Sequence, residues 1–245
     1  MEHSRFLSSI REQCEALRTA ARAAGPDAPV PTCPKWTVSR LVGHLGRVHS
    51  RVRKAVADPS GREVEPDRPP EDWAALLTWF DQQRASLVET LADPATPAWL
   101  PFARYPATAG SWARRQAHEA AIHRLDAEHA LAGSADASAV PSLVFDSGFA
   151  ADGIDELITR VLPTTGRWRE GTVTGTVVLH AADAGQTWTV RVAPGEPPRL
   201  EHGGGLDADT TIAGTADAVY RRVWRRPSHA VVTGNAQLLE PLAGP

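Results

Sequence analysis

Residues 111–133 read SWARRQAHEAAIHRLDAEHALAG, a stretch with no proline that runs to a glycine stop at Gly133 and reads as one helix. Glu119 and His123 are four apart in it, so their side chains stack on one face about one turn from each other. One cation could bridge both. His118 is five residues before His123 and about a hundred degrees round a regular helix from Glu119, so it points elsewhere. HEAAIH is therefore not the HExxH pattern of zinc peptidases.

Three further helices precede this one. Phe6, Ile10, Cys14, Leu17 and Ala21 recur at spacings of three and four over residues 4–24, one apolar stripe of an amphipathic helix. GPDAPVPTCPKW (25–36) breaks the pattern with its prolines, after which Thr37 is the N-cap of a second helix, VSRLVGHLGRVHSRVRKAVA (38–57). DPSGREVEPDRPPED (58–72) breaks it again, and Trp73, Leu76, Leu77, Phe80, Leu87 and Leu91 form the face of a third helix. Four helices between such breaks predict a bundle. His44, among Leu41, Val42, Leu45 and Val48 of the second helix, stands where a third ligand can converge on Glu119 and His123. Two histidines and a carboxylate with other positions open form a known layout for a catalytic metal. Spacing alone leaves the alternative open: a Glu and a His four apart also occur as a plain surface pair, and a His in an apolar helix as a hydrogen-bonded core residue.

After the small-residue linker SADASAVPS (134–142), Leu143 to Leu162 reads as a helix bridging the two halves, and then the period changes. TVTGTVVLHA (172–181) and QTWTVRVA (186–193) alternate around an Asp-Ala-Gly turn, a hairpin signature. A short strand near Thr210 to Ile212 leads into a helix, ADAVYRRVWRR (216–226), with Val219, Val223 and Trp224 facing the sheet, and HAVVTG (229–234) supplies a last strand. The expected fold class is α+β in two domains, a helical bundle over 1–140 and a small α+β domain over 141–245.

The chain has 245 residues, 42% of them hydrophobic, enough for real cores, and a formal charge of −3, which argues against a nucleic-acid surface. Arg221, Arg222, Arg225 and Arg226 are then expected as a solvated helix face. Cys14 and Cys33 lack CxxC spacing and point to a reducing interior. No apolar run is long enough to span a bilayer and the N-terminus lacks a signal-peptide stretch, so a cytoplasmic protein with no membrane partner is expected. The Gly203–Gly205 run is followed by LDADT and is not a phosphate loop, and no GxSxG or dinucleotide fingerprint occurs.

KWTVSRLVGHLGRVH (35–49) and SWARRQAHEAAIHRLDAEHA (111–130) together resemble the DinB-like superfamily, specifically the mycothiol-dependent maleylpyruvate isomerase family of actinobacteria. In that family a Trp-Thr dipeptide leads into a helix with a ligand His, and a later helix supplies Glu-x-x-x-His followed by a basic residue and an Asp. Here those positions are Trp36, Thr37, His44, Glu119, His123, Arg124 and Asp126. The resemblance extends to the C-terminal half, where DGIDELI, the strands and ADAVYRRVWRR look like the family's sterol-carrier-like domain. It implies a DinB-like metal-binding bundle with His44, Glu119 and His123 as ligands of a divalent metal such as zinc. It also implies mycothiol as thiol cofactor and a small electrophile as substrate, for isomerisation or S-transfer. A non-catalytic binding protein with a structural metal, and a metal-assisted hydrolase, use the same residues and stay open. Arg47, one turn beyond His44, is a candidate donor to an anionic substrate. Arg115, four before Glu119, and Asp126, three after His123, are candidates to orient the two ligands.

Overall fold

The structure is a computed structural model that describes residues 1–102, 104–165, 167–201 and 208–242. The Gly203–Gly205 run lies outside the described residues. Contacts divide the chain into one unit of Met1–Pro101 with Tyr105–Pro141 and a second of Phe102–Arg104 with Ser142–Pro245. No helix among the described residues is long and apolar enough to cross a membrane.

Among the described residues the first unit holds four α-helices: α1 (His3–Ala24), α2 (Val38–Ala57), α3 (Trp73–Thr90) and α4 (Ala109–Ala132). Each start has a local cause. The Thr37 hydroxyl accepts the Arg40 N–H, and the Asp72 carboxylate accepts that of Ala75, each satisfying a donor the first turn leaves without a partner. α4 begins two residues before Ser111, because the Ala109 N–H bonds the Thr96 carbonyl at 2.8 Å and Pro97 bridges Thr108. It ends where Gly133 turns left-handed at φ 65°.

α1 packs along α4 and α2 along α3, with α2 also meeting α4. Ile10, Leu17, Leu41, Leu45, Phe80, Leu87 and Leu125 are fully buried between them. α4 faces the bundle with Ala113, Ala117, Ala120 and Ala121, all fully buried, whose small side chains let neighbouring backbones approach closely. The same helix buries Arg115, Gln116, His118, His123, Asp126 and His129. Buried polar groups are costly unless hydrogen-bonded, so their number marks α4 as more than a packing element.

His49 is a core residue that its sequence neighbours do not announce. Its ring stacks on Phe80 at 5.7 Å, and its Nε2 lies 4.0 Å from the Cys14 sulfur. Burial pushes the imidazole down to about 3 and the Cys14 thiol up to about 12, which favours the neutral form of both. An unfolded chain protonates His49 near 6.5 and the folded one only near 3, so the protein loses stability as pH falls through this window. At about 1.4 kcal/mol per pH unit, lowering the pH from about 6.5 to about 5 costs about 2 kcal/mol through this residue. His49→Leu removes that share of the acid sensitivity, to be checked by urea unfolding of both proteins at the two pH values.

The second unit opens with α5 (Ser147–Glu156), capped by the Asp146 carboxylate on the Phe149 N–H. A π turn over Leu157–Val161 carries it into α6 (Leu162–Thr165). The helix expected over 143–162 thus starts four residues late. α5 packs on α7 (Ala216–Val223), inside its own unit.

Among the described residues five strands form one sheet in the order β3-β2-β1-β4-β5: β1 (Gly175–Ala181), β2 (Gln186–Ala193), β3 (Glu196–Glu201), β4 (Thr210–Gly214) and β5 (Val231–Gly234). β1 and β2 form the expected hairpin, Leu179 opposite Trp188, closed by Gly185 at φ 61°. β4 runs parallel to β1 and α7 covers both. β3 was not expected, because its sequence, EPPRLE, reads as a break. It pairs on one side with β2 at the sheet's edge, the place where prolines lacking an N–H are tolerated.

Arg221 corrects a further expectation. Arg222 and Arg225 are exposed, but Arg221 is buried: its Nε donates to the Asp217 carboxylate at 3.0 Å, and its guanidinium also bonds the Leu143 carbonyl and lies over the Phe145 ring.

Candidate metal centre

His44 comes from α2, and Glu119 and His123 from α4. The His44 and His123 Nε2 atoms each lie 3.2 Å from the same oxygen, Oε1 of Glu119. One donor atom from each of the three falls within 4.8 Å of the others. Ligands about 2 Å from a tetrahedral zinc ion lie roughly 3.3 Å apart, a spacing that the two imidazole-to-carboxylate separations match and that is also the length of a hydrogen bond. Two ring nitrogens and a carboxylate oxygen are also the donor types such a metal takes. Trp36 covers the pair, its ring 4.7 Å from that of His44 and 5.7 Å from that of His123.

Glu119 and His123 are each held from behind. The Arg115 guanidinium, itself buried, donates to the second carboxylate oxygen of Glu119 at 3.1 Å. His123 donates from Nδ1 to Asp126 Oδ2 at 2.9 Å, which leaves Nε2 to face Glu119. The residues expected to orient the ligands are thus within hydrogen-bond reach of them. His118 is buried, and its ring meets that of Phe6 edge-on at 6.3 Å.

Electrostatics make the trio cohere without an ion. Burial opposes ionisation of Glu119, but the His123 charge, hydrogen bonds from both imidazoles and Arg115 together hold its carboxyl well below the usual carboxylate range. Burial likewise pushes His123 down, yet Glu119 and Asp126 outweigh it and lift the imidazole to about 9. In the metal-free protein the two carboxylates favour the imidazolium form of His123. That contribution to stability is present below about 6.5 and lost as pH rises through about 9, the reverse of His49. An incoming cation competes with the proton on Nε2. Zinc uptake at pH 7 is expected to release about one proton from His123, which calorimetry in buffers of different ionisation heat would read.

His44 is the most exposed of the three and opens on a cleft of about 580 Å³. Trp36, Arg40, Arg47, Arg51, Pro66 and Pro69 are among its walls. Arg40 precedes His44 by one helical turn, Arg47 follows by almost one and Arg51 by two, so three arginines flank His44 along one face of α2. Arg47 is half exposed and lies 4.0 Å from the Glu65 carboxylate. Arg40 lies over Trp36 and Arg51 over Trp99. Sequence reasoning singled out Arg47 alone; the other two share its helical periodicity, which was the available signal.

Behind Asp126 stand two residues that sequence reasoning passed over. Thr32 Oγ1 donates to Asp126 Oδ1 at 2.6 Å, and the Cys33 thiol to Oδ2 at 3.6 Å. Both sit in the proline-rich break between α1 and α2, where no periodic pattern signals a partner.

Residues 7–128 match the model of the mycothiol maleylpyruvate isomerase N-terminal domain, and residues 148–241 match that of the family's C-terminal domain. Two solved structures of the mycothiol-dependent maleylpyruvate isomerase, one of them a histidine-to-alanine variant, share the fold, each with a TM-score of 0.60. They are 15% and 14% identical in sequence, over 95% of this chain and 93% of theirs. No curated protein sequence matches the chain. With both halves matched in order, the chain belongs to the mycothiol maleylpyruvate isomerase family.

Proposed function

We propose that this protein is a metal-dependent enzyme that uses a low-molecular-weight thiol, mycothiol, for isomerisation or S-transfer on a small electrophile. The metal ligands are His44, Glu119 and His123, with zinc the cation that best suits two imidazoles and a carboxylate. The observation that carries this reading is the convergence of the three donor atoms at a cleft lined by arginines. The family match supports the thiol. A bound divalent ion supplies positive charge that favours the thiolate form of a coordinating thiol. The chain's own residues do the rest. Arg115 and Asp126 hold Glu119 and His123 in place, Trp36 shields the imidazoles, and His44 presents the open side to the cleft. Arg47 there is a charge-assisted donor to an anionic group on the electrophile, with Arg40 and Arg51 adding to the field. Cys14 is buried and neutral and takes no part.

The reading is tested by assaying zinc-loaded protein for conversion of maleylpyruvate and related unsaturated acids with and without mycothiol. Turnover that requires the thiol supports it. Turnover without any thiol favours the hydrolase alternative, and zinc binding with no turnover favours a binding protein. Arg47→Ala is expected to raise KM for an acidic acceptor about tenfold, the loss of one charge-assisted hydrogen bond, with zinc content unchanged.

A further inference from the structure

We infer that Thr32 and Cys33 are positioning residues: from the loop joining α1 to α2 they fix the Asp126 carboxylate, which in turn sets the direction of the His123 ring. The inference rests on reading His123 as a metal ligand and extends that reading to a part of the chain that carries no ligand.

Asp126 is fully buried on α4, three residues past His123. Its Oδ2 accepts from His123 Nδ1 at 2.9 Å and from the Cys33 thiol at 3.6 Å, while Oδ1 accepts from Thr32 Oγ1 at 2.6 Å. Donors on both oxygens set the plane of the carboxylate, not just its position. A carboxylate set in this way holds Nδ1–H on one line and leaves Nε2 directed at Glu119. The two donors are unequal. A hydroxyl at 2.6 Å from an ionised carboxylate is in the range of the strong charge-assisted bonds, and a thiol is a weak donor. Thr32 therefore carries most of the effect.

The loop is built to hold these donors still. The Val30 N–H bonds the Trp36 carbonyl, the Cys33 N–H the Val30 carbonyl and the Trp36 N–H the Cys33 carbonyl, at 3.0, 2.9 and 2.8 Å, and Pro29 bridges Thr37. Its prolines at 26, 29, 31 and 34 restrict the backbone further. The same loop places the Trp36 ring on that of His123, stacked at 28° between planes. His123 is thus gripped on its ring face by Trp36 and at Nδ1 through Asp126. Because the loop's own hydrogen bonds are backbone to backbone, exchanging the Thr32 side chain subtracts a donor and leaves the loop closed.

The test uses the full chain with Thr32→Val, which keeps the shape and loses the hydroxyl, Thr32→Ser, which keeps the hydroxyl, and Cys33→Ala. Two quantities are read: zinc affinity by chelator competition, and the exchange-protected His123 Nδ1–H proton resonance of the metal-free protein. Thr32→Val is expected to weaken zinc binding about tenfold and to broaden or shift the Nδ1–H signal. Thr32→Ser is expected to restore both, and Cys33→Ala to have a smaller effect in the same direction. The inference is overturned if Thr32→Val keeps native affinity and the native signal, or if Thr32→Ser does the same damage, which would make the effect one of packing. If the native protein takes up no zinc, the metal reading fails by itself, and the Nδ1–H comparison still decides whether Thr32 positions His123.

Discussion

Glu119→Gln is expected to lower zinc affinity by more than about a hundredfold while leaving the helical circular dichroism unchanged. The amide matches the carboxylate in size, so α4 keeps its packing. It lacks the charge that draws both imidazoles to Oε1, each at 3.2 Å. Loss of an outer partner of a metal ligand costs about ten- to a hundredfold, and loss of the ligand's own charge exceeds that. The substitution also removes the largest influence raising His123, whose affinity for a proton then falls toward that of an ordinary imidazole. Chelator competition and metal content by plasma mass spectrometry, run beside His44→Ala and His123→Ala, check the result. Native zinc uptake by all three variants would remove the metal from the account.

The second large effect lies in the other unit. Asp217→Ala is expected to destabilise it by about 3 kcal/mol, because the buried Arg221 guanidinium loses the carboxylate 3.0 Å away. Asp217 also accepts the Phe145 N–H at 3.0 Å, so one carboxylate ties α7 to the segment that enters α5. Replacing Arg221 as well, with methionine, is expected to recover part of the loss, since no unpaired charge is then left in the interior. Urea unfolding, with hydrogen exchange at β1 and β4 to identify the unit that opens, distinguishes the two variants. Equal stability of Asp217→Ala and the native chain would show that Leu143 and Phe145 suffice for Arg221.

What the residues announce and what they conceal divides along a physical line. Helices three and four residues in period are written in the chain, and α2 begins and ends at Val38 and Ala57, where capping and proline breaks put it. The β1–β2 hairpin is equally local, two alternating runs with a turn between them. Glu119 and His123 are neighbours by helical geometry alone. Bringing His44 to them depends on how α2 is rotated against α4, which spacing does not specify; its place on the second helix made it a candidate, the resemblance strengthened it, and the geometry places it beside them.

By itself, then, the sequence determined the helices, the hairpin and the change of period, because each rests on interactions a few residues long. Only the tertiary structure decided the rest. Thr32 meets Asp126 across 94 positions, and nothing in a proline-rich break encodes that partner. Arg221 reads as one of four basic residues on a solvated face until packing buries it against Asp217. β3 becomes a strand because β2 offers it an edge where prolines do no harm, and β4 pairs directly and in parallel with β1 although β2 and β3 separate the two in the chain. In each case the deciding energy is a contact between distant segments, and such contacts exist only once the elements have packed.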